Sequence, residues 1–266
     1  MEDKNNLLFQ IERRNQIMTL LHNEGKIYVT DLQQKFGVSG ATIRSDLNEL
    51  EADGQLTRTH GGAVEKTKTA EDTPLEVRYT RKFEQKLAIA VKAVELISDG
   101  DSLMVDGGST LAQFITELSK SNKSDLTVIT NFVPHIYTLR QCENIKTMMV
   151  GGMYDSRLQS TIGLNAAEFV KKYRTDKVIM SATGISEEHG ITYAQSQDAE
   201  IKHAMIEQGK TKILLTDSAK IGQSYFATAG SLSQMDILVT DWDISEESYR
   251  RISELGMKVI VAPRVN

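Results

Sequence analysis

At 266 residues the chain has room for two domains, each with a substantial core. Its 40% hydrophobic and 25% charged content is that of a globular protein, and no run approaches the roughly eighteen apolar residues of a membrane span. The formal net charge of −5 gives no general attraction to nucleic acid, and a single cysteine, Cys142, excludes an intrachain disulfide. Residues 1–66 are themselves acidic, with eight Lys/Arg against ten Asp/Glu. The polar start MEDKNNLLFQIERR lacks the apolar centre of a signal peptide, so a cytoplasmic protein is expected.

Residues 12–23 predict a first helix with Ile17, Leu20 and Leu21 inward, ending before Gly25. Thr30 with Gln33 reads as a capping box that starts a second helix, and Gly37 suits the left-handed residue that ends it. Ser39 caps a third helix, in which Ile43, Leu47 and Leu50 recur on one stripe. Gly54 closes that helix, and Leu56-Thr57-Arg58 opens a hairpin with Gly61-Gly62 at its tip. At about 100° per residue, Ala41, Arg44, Ser45 and Asn48 face away from the apolar stripe. Two short helices followed by a ribbon make a winged helix, whose second helix enters a DNA major groove. The candidate DNA contacts are Ser39, Ala41, Thr42, Arg44, Ser45 and Asn48, with Arg58, His60 and Gly61 from the wing. Asp46 would repel phosphates if exposed; it reads as the partner of a nearby arginine or backbone amide.

The winged helix is expected over residues 8–64. Residues 65–75 are polar, free of large apolar side chains until their last residue, and contain Pro74, the composition of a linker. A long amphipathic helix is predicted near 76–97, with Val77, Leu87, Val91, Val94 and Leu96 among its apolar positions. Across the rest of 76–266, β-rich runs at 102–105, 126–130, 146–150, 177–181, 212–216, 236–240 and 258–261 alternate with helical stretches near 110–119, 133–140, 164–173, 198–208 and 246–254. This alternation predicts a mostly parallel sheet with helices on both faces.

The carboxyl ends of parallel strands share one edge, and ligands bind outside it. Here those ends carry Asp106-Gly107-Gly108-Ser109-Thr110, Thr130-Asn131, Gly151-Gly152, Gly184, Asp217 and Asp241, which together make a polar cup. Asp106–Thr110 is the strongest element: two glycines let backbone come close to a ligand, and a helix start attracts an anion. No lysine follows as in a nucleotide-binding P-loop, so a single phosphate fits better than a nucleotide. An ordinary strand-to-helix turn would also use these residues. Asp198 and Lys202 stand at i, i+4 on one helix, either as a surface ion pair or as part of the cup. Asp217 and Lys220 add a second carboxylate and ammonium just past a strand. Tyr193 and Ser224-Tyr225 lie near the same region, but nothing in their spacing assigns them. The five histidines lack metal-ligand spacing, so no metal or cofactor is expected.

Val38-Ser39-Gly40-Ala41-Thr42-Ile43-Arg44-Ser45-Asp46-Leu47, followed by Leu50-Glu51, Gly54, Leu56, Arg58 and His60-Gly61-Gly62-Ala63, resembles the signature of the DeoR family of bacterial transcriptional regulators. The strand-end motifs resemble that family's C-terminal domain, in which an Asp-x-Gly-[Ser/Thr]-Thr loop, a Thr-Asn pair, a Gly-Gly pair, a Glu-Ala-x-x-Lys helix and an Asp-Ser-x-Lys turn recur. The resemblance implies a winged helix-turn-helix joined to a Rossmann-like α/β sensor similar in fold to ribose-5-phosphate isomerase. It also implies an effector site drawn from Asp106–Thr110, Thr130, Asn131, Gly151, Gly152, Gly184, Asp198, Lys202, Asp217 and Lys220. Two positions depart from the pattern: Ser45 stands where a second arginine is common, and Asp198 where glutamate is usual.

The reading that follows is a repressor of a carbohydrate or polyol operon, released by a phosphorylated sugar and without catalytic residues. One winged helix reads only a few base pairs of operator DNA, so a homodimer or tetramer is expected. A sugar-phosphate isomerase with an accessory N-terminal domain is the enzymatic alternative, with Asp198 or Asp106 as general base. A protein-binding winged helix is the third.

Overall fold

The computed structural model describes residues 2–53, 55–59, 61–65 and 75–265, with backbone alone for 2–9, 11, 22, 23 and 65. Gly54, His60 and residues 66–74 lie outside them, and with them the expectations for the helix end, the wing histidine and most of the linker. The chain divides into two units between residues 72 and 73.

The first unit runs α1 (Glu2–Glu24), β1 (Lys26–Tyr28), α2 (Val29–Phe36), α3 (Gly40–Ala52), β2 (Leu56–Thr59) and β3 (Gly62–Glu65). The three strands form an antiparallel sheet in the order β1-β3-β2. Ile17, Leu21, Leu32, Ile43, Leu47, Leu50 and Leu56 bury together as its core, which gives α3 the inward stripe its spacing predicts. Ser39 caps α3 by accepting the Thr42 N–H at 3.2 Å, and Gly37 ends α2 with φ of +64°. The capping box at Thr30 and Gln33 does not form. Tyr28 pairs with Gly62 and is extended as the N-cap, so α2 begins two residues earlier, at Val29, and the Thr30 hydroxyl donates to Asp31 instead. Gly62 has to be glycine, because a Cβ there would run into the Ile27 carbonyl.

The second unit opens with α4 (Leu75–Thr80) and α5 (Phe83–Val94), not with one long helix. Lys82 sits between them in the left-handed region at φ of +53°. The buried Lys86 turns its ammonium back onto the carbonyls of Arg78 and Arg81, supplying donors that the end of α4 lacks. The inward face of α5 is therefore Lys86, Ala88, Ile89, Ala90 and Ala93, while Val91 is exposed.

There follow β4 (Ser102–Val105), α6 (Ser109–Lys120), β5 (Leu126–Thr130), α7 (Val133–Leu139), β6 (Ile145–Met149), β7 (Met153–Asp155), β8 (Ser160–Ile162), α8 (Leu164–Val170) and β9 (Thr175–Met180). The chain continues with β10 (Gly184–Ser186), β11 (Gly190–Tyr193), α9 (Ser196–Ile206), β12 (Gly209–Leu215), β13 (Ala227–Gly230), β14 (Ile237–Asp241), α10 (Glu246–Glu254) and β15 (Lys258–Ala262). All seven predicted strands form one parallel sheet, ordered β15-β14-β12-β9-β4-β5-β6. Successive side chains alternate between its faces. Leu103, Val105 and Ile179 meet Ile89, Leu111 and Phe114 of α5 and α6 on one face. Met104, Val178 and Met180 meet Ala166, Val170, Ile201 and Met205 of α8 and α9 on the other. Two small antiparallel sheets, β7-β8 and β10-β11-β13, were not foreseen.

Chain order reverses direction between β4 and β9. After β4 the sheet grows one way through β5 and β6; from β9 it grows the other way through β12, β14 and β15. That reversal opens a crevice above the two strand ends.

Candidate functional site

In the first unit, Ser39, Ala41, Arg44, Ser45 and Asn48 are all exposed, and Thr42 is half-buried through its bond to Ser39. Ala41, Arg44, Ser45 and Asn48 share the side of α3 opposite Ile43 and Leu47, with Ser39 as the cap of the helix. Asp46 is buried, and its carboxylate accepts from Arg13 Nε at 2.6 Å and from Arg14 Nε at 3.2 Å. The acidic residue in the middle of the helix is therefore spent on α1 and leaves the outward face without that negative charge. Gly61 is exposed at the tip of the ribbon. Arg58 is half-buried, with its backbone N–H donating to Glu51 at 2.8 Å.

In the second unit the crevice is centred on Asp106, which follows β4 and is wholly buried (0% exposed). Its Oδ1 accepts the Gly107 N–H at 2.5 Å and lies 2.6 Å from the Lys202 ammonium. Lys202, only 3% exposed, also pairs with Asp198 one turn earlier on α9. The pair at i, i+4 is thus one side of a buried triad and not a surface ion pair. Burial alone would depress the Lys202 ammonium, but the carboxylates of Asp106 and Asp198 together raise it above the ordinary lysine range. Burial pushes the Asp106 carboxyl up to about 6 against the pull of Lys202, so the pair remains ionised at neutral pH.

Tyr193, which spacing left unassigned, completes this cluster. Its hydroxyl donates to the Ser181 carbonyl at 2.5 Å, and its ring lies 5.6 Å from the Lys202 ammonium, a cation–π distance. Burial first, then Asp106 and Asp198, raise the phenol well above its ordinary range and keep it a donor. Lys220, from a short 3₁₀ turn after β12, donates to the Ala182 carbonyl at 2.9 Å and stands 3.8 Å from Asp217.

The glycines have distinct physical reasons. Gly108, at φ of +127°, brings backbone close to Ser181, and Gly107 leaves no room for a Cβ beside Ser160 and Phe132. Gly152 is needed for contact with Ala166, and a Cβ on Gly184 would lie 2.6 Å from the Gln223 carbonyl oxygen. Gly151 is exposed. Thr130 and Asn131 turn into the protein: Thr130 bonds His135 Nδ1 at 2.9 Å and Asn131 donates to the Thr161 carbonyl at 3.1 Å. Burial holds the His135 imidazole at about 3, hence neutral. Ser109 and Thr110 begin α6 and are buried. Asp106 Oδ2, Thr110 Oγ1 and Asn131 Oδ1 are buried without a hydrogen-bond partner among the described residues, an arrangement that is costly unless something binds them. Sequence reasoning missed Arg78 on α4, whose Nε is buried without a hydrogen-bond partner among the described residues and whose carbonyl accepts from Lys86. No cluster of metal-ligating side chains and no helix long and apolar enough to cross a membrane occurs among the described residues.

A winged helix with an open recognition face, followed by a doubly wound domain with a charged crevice at its switch point, defines a regulator that couples DNA binding to a small molecule. Residues 13–69 match the DeoR-like helix-turn-helix domain and residues 81–242 match the DeoR C terminal sensor domain. The chain belongs to the DeoR family of transcriptional regulators. It is similar to the HTH-type transcriptional regulator GolR of Listeria innocua, at 30% identity over 96% of this chain and 100% of that one. The lactose phosphotransferase system repressor of Streptococcus mutans is 34% identical over 86% of this chain and 91% of its own length. The glycerol-3-phosphate regulon repressor of Escherichia coli is 32% identical over 87% and 91%. Among solved structures, ribose 5-phosphate isomerase A of Methanocaldococcus jannaschii overlaps 53% of this chain and 55% of its own, at 19% identity and a TM-score of 0.38.

Proposed function

We propose that this protein is a cytoplasmic repressor of a carbohydrate or polyol operon, released when a phosphorylated sugar or polyol binds the switch-point crevice. It binds operator DNA as a homodimer or tetramer, through the outward face of α3 and the wing. In this reading residues 8–64 are the DNA-binding domain, 65–75 the linker and 76–266 the sensor. The names of the similar repressors support the class of operon. The observation that carries the effector reading is the buried Asp106–Lys202–Asp198 triad directly beneath the Gly107–Thr110 helix start. The carboxylates paired with Lys202 can accept hydrogen bonds from hydroxyl groups, while the N–H groups at the start of α6 favour an anion. Asp106 is read as an ion-pair partner whose Oδ1 is held by Lys202 and Gly107, leaving Oδ2 to accept from an effector hydroxyl.

The mechanism is a coupling free energy. The effector favours the arrangement that does not bind DNA, typically by ~1–3 kcal/mol. A panel of sugar and polyol phosphates, each beside its unphosphorylated form, tests the reading by thermal shift and by release from operator DNA. The active phosphate should stabilise the protein by about 2.7 kcal/mol at a hundredfold excess over its Kd. Ser109→Asp should remove that response and leave a repressor that is no longer inducible. Free sugars acting as well as their phosphates would overturn the reading, and turnover of ~1–1000 per second would establish an isomerase instead.

A further inference from the structure

The face of α5 that turns away from the sheet carries larger apolar side chains than the face it buries. Its buried apolar positions are Ala88, Ile89, Ala90 and Ala93, all but one of them alanine. On the other side Phe83 is 50% exposed and Val91 39% exposed, with Leu87 half-buried between them. These three recur at i, i+4 and i+8, which at about 100° per residue holds them within roughly 80° of one another over a rise of about 12 Å. A surface helix ordinarily turns its apolar stripe to the core and its charges to water, so a second apolar stripe on the outside marks a contact surface. Rows of side chains at i±4 are also the ridges with which one helix packs against another.

The charges beside this stripe select its occupant. Glu84 lies near the amino end of α5 and Lys92 near its carboxyl end, both on the flank next to Val91. Lys92 is bonded to Glu95 at 2.6 Å, yet 35% of its side chain stays exposed. Two copies of α5 packed antiparallel about a two-fold axis at Leu87 set Phe83 against Val91 of the second copy and Leu87 against Leu87. Glu84 then stands within about 3 Å of the second copy's Lys92 along the helix axis, on the same flank. A parallel pair would instead put Glu84 beside Glu84. The stripe is therefore self-complementary in the antiparallel sense, as an isologous two-fold interface requires.

We propose that the outer stripe of α5 is a homodimer seam, in which this helix packs antiparallel against the same helix of a second copy. The inference rests on the homo-oligomer reading above and adds the surface that carries it. A two-fold axis in the sensor also matches the symmetry of paired operator half-sites.

The test is sedimentation equilibrium of the full chain over a range of concentrations. Phe83→Lys combined with Val91→Lys, both at exposed positions, should weaken one two-fold step, dimer to monomer or tetramer to dimer, by roughly tenfold or more. The circular dichroism spectrum should not change. Glu84→Lys alone and Lys92→Glu alone should each weaken the same step by roughly three- to tenfold, because each sets like charges together across the seam. Mixing those two single variants should restore association through heterodimers, in which every contact again joins opposite charges; a folding defect in either variant would not produce that recovery. Wild-type association in the Phe83 and Val91 double variant overturns the seam, and a mixture that fails to recover overturns the antiparallel pairing. In both cases an oligomeric wild type leaves the homo-oligomer reading standing. A wild type that is monomeric at every concentration overturns that reading and the seam together.

Discussion

Lys202→Met isolates the energetics of the buried triad. The substitution keeps an unbranched side chain one atom shorter and removes its charge, leaving Asp106 wholly buried beside Asp198 with no cation between them. Removing one partner of a buried ion pair costs about 3–5 kcal/mol, most of it from the stranded charge. Asp106 has a way to escape that cost by taking up a proton. Its carboxyl already stands at about 6, above its ordinary 3.8, with Lys202 present, and loss of the ammonium raises it further. The folded variant then holds a proton that the unfolded chain releases near its ordinary value. Stability of the variant therefore falls as pH rises above about 4, by up to ~1.4 kcal/mol per pH unit, until the folded carboxyl ionises. Urea unfolding of wild type and variant at pH 5 and pH 8 reads this directly. The deficit should be small at pH 5 and approach the full 3–5 kcal/mol at pH 8. At the higher pH, Asp106→Asn combined with Lys202→Met should recover much of the loss. An equal deficit at both pH values would refute the stranded carboxylate and leave only lost packing.

Two further outcomes concern the first unit. Asp46→Ala removes the buried acceptor of Arg13 and Arg14, and should destabilise the winged helix by about 3–5 kcal/mol, measured by denaturation of the isolated unit or by loss of operator binding at 37 °C. Native stability in that variant would mean the ion pair contributes nothing. Arg44→Ala, at an exposed position on α3, should weaken operator binding by roughly 1–3 kcal/mol and relax sequence preference, scored against scrambled DNA at one salt concentration. Unchanged affinity would remove Arg44 from the reading surface.

The parallel sheet was legible because buried strands are short apolar runs, and Ser102–Val105 or Leu126–Thr130 admit no other reading between turn residues. The switch point was not, since strand order depends on which pairs of runs meet, a fact no local pattern contains. Gly184–Ser186 and Gly190–Tyr193 are too short and too rich in turn residues to separate from loop, which hid the β10-β11-β13 sheet. The break at Lys82 was invisible because lysine rarely adopts positive φ; it is held there by the turn that Lys86 closes from behind. The candidate site divides in the same way. Asp106 and Lys202 stood out through motif and spacing, but their direct contact and the presence of Tyr193 came from packing across the sheet. Arg78 had no signal at all: on a short helix it looks like a solvated charge until the fold encloses its Nε.

The reversal of chain order also fixes when the sensor becomes competent. Its crevice draws on residue 106 at one end and residue 220 at the other, so it cannot exist until nearly all of the second unit has been synthesised. The winged helix is complete by residue 65. At a ribosomal rate of about 5–20 residues per second, the remaining stretch to Lys220 takes roughly 10–30 s. For that interval each nascent chain carries a finished winged helix without the crevice of its sensor domain.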